Sequence, residues 1–216
     1  SDTQTITTVI ITDGLRRVVQ TKADAEVYDR QTDDTELGMT VTGLIEYDEI
    51  GRVAAEHQPG FEPGAVLTFT GSGEAKHSTR YTYDPLGRVV EQRLPDNSLV
   101  ETVHTIANNR SVTTTTDPEG IVRRQERDAR GNIVAVTDYP DGKTLTTTYE
   151  YNPLGEILRV RDPEGNLISV EYDTLGRRTA LVTPNSGRTE YRYDLGGNLI
   201  RMIDENLRAA GSAIRY

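Results

Sequence analysis

YNPLGEILRVRDPEGNLISVEYDTLGRRTALVTPNSGRTEYRYDLGGNLIRMID, residues 151–204, states one phrase three times. The copies open on Tyr151, Tyr172 and Tyr193, and their glycines, Gly155, Gly176 and Gly197, stand 21 residues apart. Between them lie further turn-forming groups, Asp162-Pro163-Glu164-Gly165 and Pro184-Asn185-Ser186-Gly187, so a turn is expected every ten or eleven residues. A fixed period of this length marks a repeat architecture, which has to be recognised before any single segment is interpreted.

The turns have a mechanism. In Asp84-Pro85-Leu86-Gly87 the aspartate accepts a hydrogen bond from the backbone two residues on, Pro85 presets φ, and Gly87 takes the left-handed position. This predicts a type I turn closed by a G1 bulge, a common hairpin connection. The same reading covers Asp48 with Gly51, Asp128 with Gly131, Asn152 with Gly155, Asp162 with Gly165, Asp173 with Gly176 and Asp194 with Gly197. A degenerate first copy, TDGLRRVVQTK, begins at Thr12. Secondary turns are also expected at Pro95-Asp96-Asn97, Asp117-Pro118-Glu119-Gly120 and Pro140-Asp141-Gly142.

The segments between turns read as strands. Thr146 to Tyr151 is β-branched and aromatic, and Tyr149 with Tyr151, Tyr81 with Tyr83 and Tyr191 with Tyr193 share faces at i, i+2 spacing. Ile133–Val136 and Leu199–Ile203 are apolar on both faces. Leu15 to Ala25 comes nearest to a helical period, and the repeat register argues against a helix there. An isolated hairpin is marginal in water, so consecutive hairpins should stack edge to edge. The expected fold is all-β: tandem antiparallel hairpins forming an extended, twisted and curved meander, one array over residues 1–216.

Composition agrees with a thin sheet. Hydrophobic residues make up 35% and aromatics 6%, with no Trp and two Phe, too few for a thick core. A net charge of −10 repels phosphate backbones and anionic lipids, which argues against nucleic-acid and membrane-surface partners. No window is long and apolar enough for a membrane span, and SDTQTITTVIITDGL lacks the pattern of a signal peptide. With no cysteine, disulfides, thiol chemistry and thiolate metal sites are excluded. The closing Ile214-Arg215-Tyr216 reads as a strand cut short, so the chain is expected to be a fragment of a longer protein.

Two insertions break the period, at about 29–38 and 56–79. The first, Asp29 to Glu36, reads as a solvated acidic loop; its carboxylates suit Ca²⁺ but lack the spacing of a calcium-binding loop. The second, EHQPGFEPGAVLTFTGSGEAKHST, contains both phenylalanines. One reading has Phe61 and Phe69 anchoring a partner or an enclosed chain. The other makes Val66-Leu67-Thr68-Phe69 an extra strand whose phenylalanines cover a sheet face, and this plainer reading is preferred.

No constellation points to catalysis, a metal or a cofactor. His57, His77 and His104 show no ligand spacing, and His57 and His77 read as exposed loop residues, although a site with Glu56 or Glu74 is conceivable. No serine sits in a nucleophile elbow, and Gly71-Ser72-Gly73 reads as a flexible turn. Most aspartates are committed to turns.

The pattern Y-D-x-x-G-R/N followed by two apolar residues, at a period near 21 from Asp13 to Asp204, resembles the YD repeat of the Rhs (rearrangement hotspot) family. That family includes bacterial polymorphic toxins, the B and C components of insecticidal toxin complexes, and the animal teneurins. DGLRRVVQTKADAEVYD and YDEIGRVAAEHQPGF are similar to the toxin-complex branch. The resemblance implies a β-strand spiral shell that encloses a C-terminal toxin or other cargo, in a secreted or surface bacterial protein. The family's self-cleavage block, paired aspartates near a DPxGL sequence, has no counterpart here, which leaves a structural, non-catalytic wall segment. Its partners would be the further repeats and the cargo of its parent chain. The alternative is an adhesion or carbohydrate-binding module whose exposed tyrosines and Gly71-Ser72-Gly73 loop contact glycans.

Overall fold

β-Branched and aromatic runs between turn residues become nineteen strands among the residues that the computed structural model describes, 6–30, 33–71 and 77–216. The chain divides into two compact units, residues 1–102 and 103–216.

The first unit holds β1 (Thr8–Thr12), β2 (Val18–Asp29), β3 (Asp34–Thr42), β4 (Ile45–Tyr47), β5 (Val53–His57), β6 (Gly60–Pro63), β7 (Ser78–Tyr83), β8 (Val89–Arg93) and the start of β9 (Leu99–Ala107). One antiparallel sheet has the order β1-β2-β3-β6, and β4, β5, β7, β8 and β9 follow one another in a second ladder. The second unit continues with β10 (Arg110–Thr116), β11 (Val122–Arg127), β12 (Ile133–Tyr139), β13 (Leu145–Tyr151), β14 (Ile157–Arg161) and β15 (Leu167–Tyr172). β16 (Arg178–Thr183), β17 (Gly187–Tyr193), β18 (Leu199–Ile203) and β19 (Ile214–Arg215) complete it. From β10 onward each strand pairs antiparallel with the next, as tandem hairpins require.

In the six full-length copies the register slips at the residue before the turn Asp or Asn. The slips fall at Glu46/Tyr47, Thr82/Tyr83, Glu126/Arg127, Glu150/Tyr151, Glu171/Tyr172 and Arg192/Tyr193. Such a bulge adds twist beside each turn. The core is thin. Its apolar members among the described residues are Met39, Leu44, Ala55, Val112, Ala135 and Ala180, three of them alanines. Stability must therefore come largely from ladders, turns and half-buried side chains.

Several expectations are corrected. Residues 34–38 are not loop: they belong to β3, because Asp34–Thr42 pairs with Thr21–Asp29 along its whole length. Gln31 and Thr32 lie outside the described residues. The extra strand of the second insertion is Gly60–Pro63, not Val66–Phe69, because Gly60–Pro63 finds an open edge of β3 between Gly38 and Val41. The stretch Leu15–Ala25 runs into β2, as the repeat register requires. A short helix, α1 (Glu205–Ala209), follows the last strand, its N-terminus capped by Asp204, which accepts from Leu207 N–H at 2.7 Å. Pro140-Asp141-Gly142 is a tighter turn than the main ones: Asp141 and Gly142 are both left-handed (φ 47° and 73°), as in a type I′ hairpin. Asn108 and Asn109 form a similar left-handed pair that the sequence reading passed over.

Candidate functional site: the turn clamp and the cross-repeat staple

Asp84 shows the turn in full. Gly87 N–H donates to the Asp84 carbonyl (3.0 Å) and Asp84 N–H to the Arg88 carbonyl (2.9 Å), closing the type I turn and its bulge. Carboxylate Oδ1 accepts from the N–H groups of Leu86 and Arg88, each at 2.9 Å, while Oδ2 accepts from Arg88 Nε at 2.7 Å. Gly87 holds φ at +78°, and Pro85 fills the second turn position. One carboxylate therefore ties down two backbone donors and the side chain that follows the glycine.

The clamp recurs with defined variations. Asp13, Asp48 and Asp173 bind Arg17, Arg52 and Arg177 in the same way, each with Oδ2 to Nε at 2.7 Å. Asp128, Asp162 and Asp194 instead accept from Nδ2 of Asn132, Asn166 and Asn198 at 3.1, 2.7 and 2.9 Å. Asn152 inverts the polarity: its Nδ2 donates to Glu156 Oε2 at 2.5 Å, while its Oδ1 still accepts from the Leu154 and Glu156 amides. Gly51, Gly131, Gly155, Gly165, Gly176 and Gly197 all have positive φ. In the degenerate first copy Arg16 takes that conformation, with φ 63°.

The repeats are also tied to one another. The hydroxyl of Tyr83 donates to the Val53 carbonyl (2.7 Å), Tyr151 to Ile133 (2.8 Å), Tyr172 to Ile157 (3.1 Å) and Tyr193 to Arg178 (2.9 Å). In every case the acceptor is the second residue after the turn glycine of the preceding copy. Arginines reach in the opposite direction, toward the following copy. The guanidinium of Arg17 lies 3.6 Å from the Tyr47 ring centre, Arg52 4.4 Å from Tyr83, and Arg177 5.1 Å from Tyr193, within cation–π range. Arg17 Nη1 donates to the Gly51 carbonyl (3.1 Å), Arg177 Nη1 to the Asp194 carbonyl (3.0 Å), and Arg130 Nη1 to the Pro153 carbonyl (2.8 Å).

Electrostatics follow the donors. The backbone N–H of Arg88 and its guanidinium hold the Asp84 carboxyl below the usual range against partial desolvation, and Asp173 is lowered by Arg177 in the same way. At Asp194 the Asn198 amide contributes most. At Asp48 and Asp128 desolvation is the largest influence and pushes upward, yet the combined hydrogen bonds leave both carboxyls lowered. These aspartates are saturated with donors, which suits holding a turn.

The other sequence-predicted residues are placed as follows. Phe61 lies in β6 opposite Thr40, with its ring against Gly38, where an added Cβ would stand 2.6 Å from Cζ. Phe69 is exposed in the segment that follows β6. The structure does not bring the two phenylalanines into one described site. His57 is not an exposed loop residue: it ends β5, is buried, and bonds Glu46 through Nε2 at 2.8 Å. Glu56 accepts from the Tyr81 hydroxyl (3.0 Å) instead of joining a histidine site. Glu74, Ser72 and Gly73 lie outside the described residues. Sequence reasoning missed the double duty of the residue after the turn glycine. Its signal was present, since Arg or Asn follows nearly every such glycine and Tyr precedes the next Asp.

The family model RHS Repeat matches residues 107–144, 151–187 and 172–211. The crystal structure of TcdB2-TccC3 superposes with a TM-score of 0.73 at 20% identity, covering 92% of this chain and 11% of that one. TcdB2-TccC3 without its hypervariable C-terminal region gives 0.71, also at 20% identity, with 92% and 11% covered. A mutant Photorhabdus luminescens Tc holotoxin pore gives 0.70 at 20% identity, with the same coverage. At this identity the likeness is one of fold, and the chain spans about a ninth of the length of those chains. No curated protein matches the chain.

Proposed function

We propose that this RHS-repeat chain is wall material: a non-catalytic stretch of β-shell that encloses or shields a toxin or other cargo polypeptide. In this reading it belongs to a larger secreted or surface protein, and its partners are the further repeats of that parent and the enclosed chain. The observation that carries the reading is the cross-repeat staple. A sheet with so thin a core gains its rigidity from bonds between neighbouring hairpins, and Tyr83, Tyr151, Tyr172 and Tyr193 each supply one to the copy before. A thin wall needs stiffness without a thick interior, and this arrangement supplies it.

The fold likeness to chains of TcdB2-TccC3 and of a Tc holotoxin pore supports the same reading. The alternative, glycan binding, relied on exposed tyrosines. Four of those hydroxyls are already bonded to backbone carbonyls, and no observation favours that alternative. Electron microscopy of the full-length parent protein tests the proposal. A hollow particle with density inside is expected, and a solid or filamentous particle without a cavity would overturn it.

A further inference from the structure

Arg192 of β17 stands opposite Arg201 of β18, and Arg201 stands opposite Arg215 of β19. Opposed residues of an antiparallel pair share a face, so three arginines lie abreast on three consecutive strands. Adjacent strands are about 4.8 Å apart, which gives the row a length of roughly 10 Å. Arg192 and Arg215 are exposed and Arg201 is half-buried. Helix α1 meets the far end of β17, where Arg188 N–H donates to Glu205 Oε2 at 3.4 Å.

No carboxylate answers this row. Among the described residues, no ion pair, side-chain hydrogen bond or cation–π contact joins any of the three arginines to another group, and Arg201 Nε is buried without a partner. The four carboxylates of residues 187–216 are engaged elsewhere. Glu190 Oε1 lies 3.2 Å from Arg188 Nε and 3.1 Å from Arg208 Nη2. Asp194 is held in its clamp by Asn198, Asp204 caps α1, and Glu205 pairs with Arg208 at 3.4 Å. Like charges directly opposite one another destabilise a sheet, and a buried donor without an acceptor adds to the cost. The charges of the row therefore work against the fold, unlike those of the clamps.

We propose that the row binds an extended acidic segment of a partner polypeptide, with its carboxylates seated between neighbouring arginines. A single phosphate-sized anion bridges two of the three but not the whole row. Alternate side chains of an extended segment are about 6.7 Å apart, so carboxylates at i and i+2 engage all three arginines together. Each carboxylate then meets the planar donor fork that suits it best. Binding also relieves both like-charge oppositions, a gain that no neutral segment offers. The chain's net charge of −10 does not prevent this, because residues 187–216 carry five arginines against four carboxylates. More distant carboxylates are screened over a Debye length of about 8 Å. This proposal does not rest on the wall reading.

The experiment uses the 216-residue chain and a fluorescent synthetic peptide repeating Glu-Thr, followed by anisotropy. Matched peptides repeating Gln-Thr and Glu-Thr-Thr-Thr probe charge and spacing. Saturable binding of the first peptide is expected, about tenfold or more tighter than either matched peptide, and inorganic phosphate at equal concentration should not displace it. Arg192→Glu sets a carboxylate opposite Arg201. It should weaken binding about tenfold or more while the urea midpoint stays at or above that of the parent chain. Lys143→Glu, the same change of charge at an exposed turn position, should leave binding as it was. Should Arg192→Glu misfold, Arg215→Gln on β19 carries the comparison. The proposal is overturned by no binding, by equal binding of either matched peptide, or by displacement with phosphate. Undiminished binding to the row variants, or equal weakening by Lys143→Glu, would overturn it as well.

Discussion

Asn152 and Glu156 exchange the roles that aspartate and its following arginine or asparagine hold in the other clamps, with the amide as donor and the carboxylate as acceptor. Asn152→Asp would set two carboxylates against each other at this turn. We expect a loss of about 1 kcal/mol at neutral pH, recovered when Glu156→Arg is added, since the pair then matches Asp173 and Arg177. A double-mutant cycle by urea denaturation measures it. Three residues on, Gly155 holds φ at +85°, and an added Cβ would meet only Asn132 Oδ1 at an ordinary 3.8 Å. Gly155→Val should thus cost about 1–2 kcal/mol or more through backbone strain and not through crowding. A denaturation midpoint equal to that of the parent chain would remove the left-handed assignment at this hairpin.

At the scale of elements, β6 is tied to β2 by the ion pair between Glu62 and the fully buried Lys22. Glu62→Ala leaves Lys22, fully buried, without its carboxylate, and should destabilise the first unit by about 3 kcal/mol. Lys22→Met combined with Glu62→Leu should cost much less, because no charge is then stranded. Hydrogen exchange of amides in β2, β3 and β6 reads both. This pair also marks where the sequence stopped being legible. Turns were readable because their chemistry is local: Asp, Pro and Gly act on residues within four positions of themselves. The strand at Gly60–Pro63 was not, since nothing within it announces that β3 offers an open edge some twenty residues earlier. The partnership of Lys22 with Glu62 and Thr70 depends on register across 40 and 48 positions. The tyrosine staples lie between these cases: their period was visible, but not the carbonyl each hydroxyl would choose. Helix α1 escaped notice because five residues show no period, although Asp204 ahead of Glu205 is a capping signal.

Across the whole molecule the clamps repeat in both units, so their ionisation adds up. Each clamp aspartate titrates below its unfolded value, near 3.9. The stabilisation is therefore fully present above about pH 4 and is lost as pH falls through the folded values, when the unfolded chain binds protons first. Denaturant midpoints followed from pH 6 to about pH 2 should fall below pH 4, and Asp84→Asn with Asp173→Asn should flatten that fall while lowering the midpoint at neutral pH. The staple has an arithmetic consequence for how such a chain changes length. Each of the four staple hydroxyls reaches a carbonyl set by the previous glycine, so a change of length that keeps the staples removes or adds a whole copy. Excision of residues 172–192 would deliver the Tyr193 hydroxyl to the Ile157 carbonyl that Tyr172 had used, and all downstream partnerships would survive. Removal of a single strand with its turn would instead reverse the chain direction at the splice and strand every later tyrosine. Across residues 151–204, where the copies keep a strict period, a gain or loss of 21 residues would thus preserve the staples, and the step of length is set by one phenolic hydrogen bond.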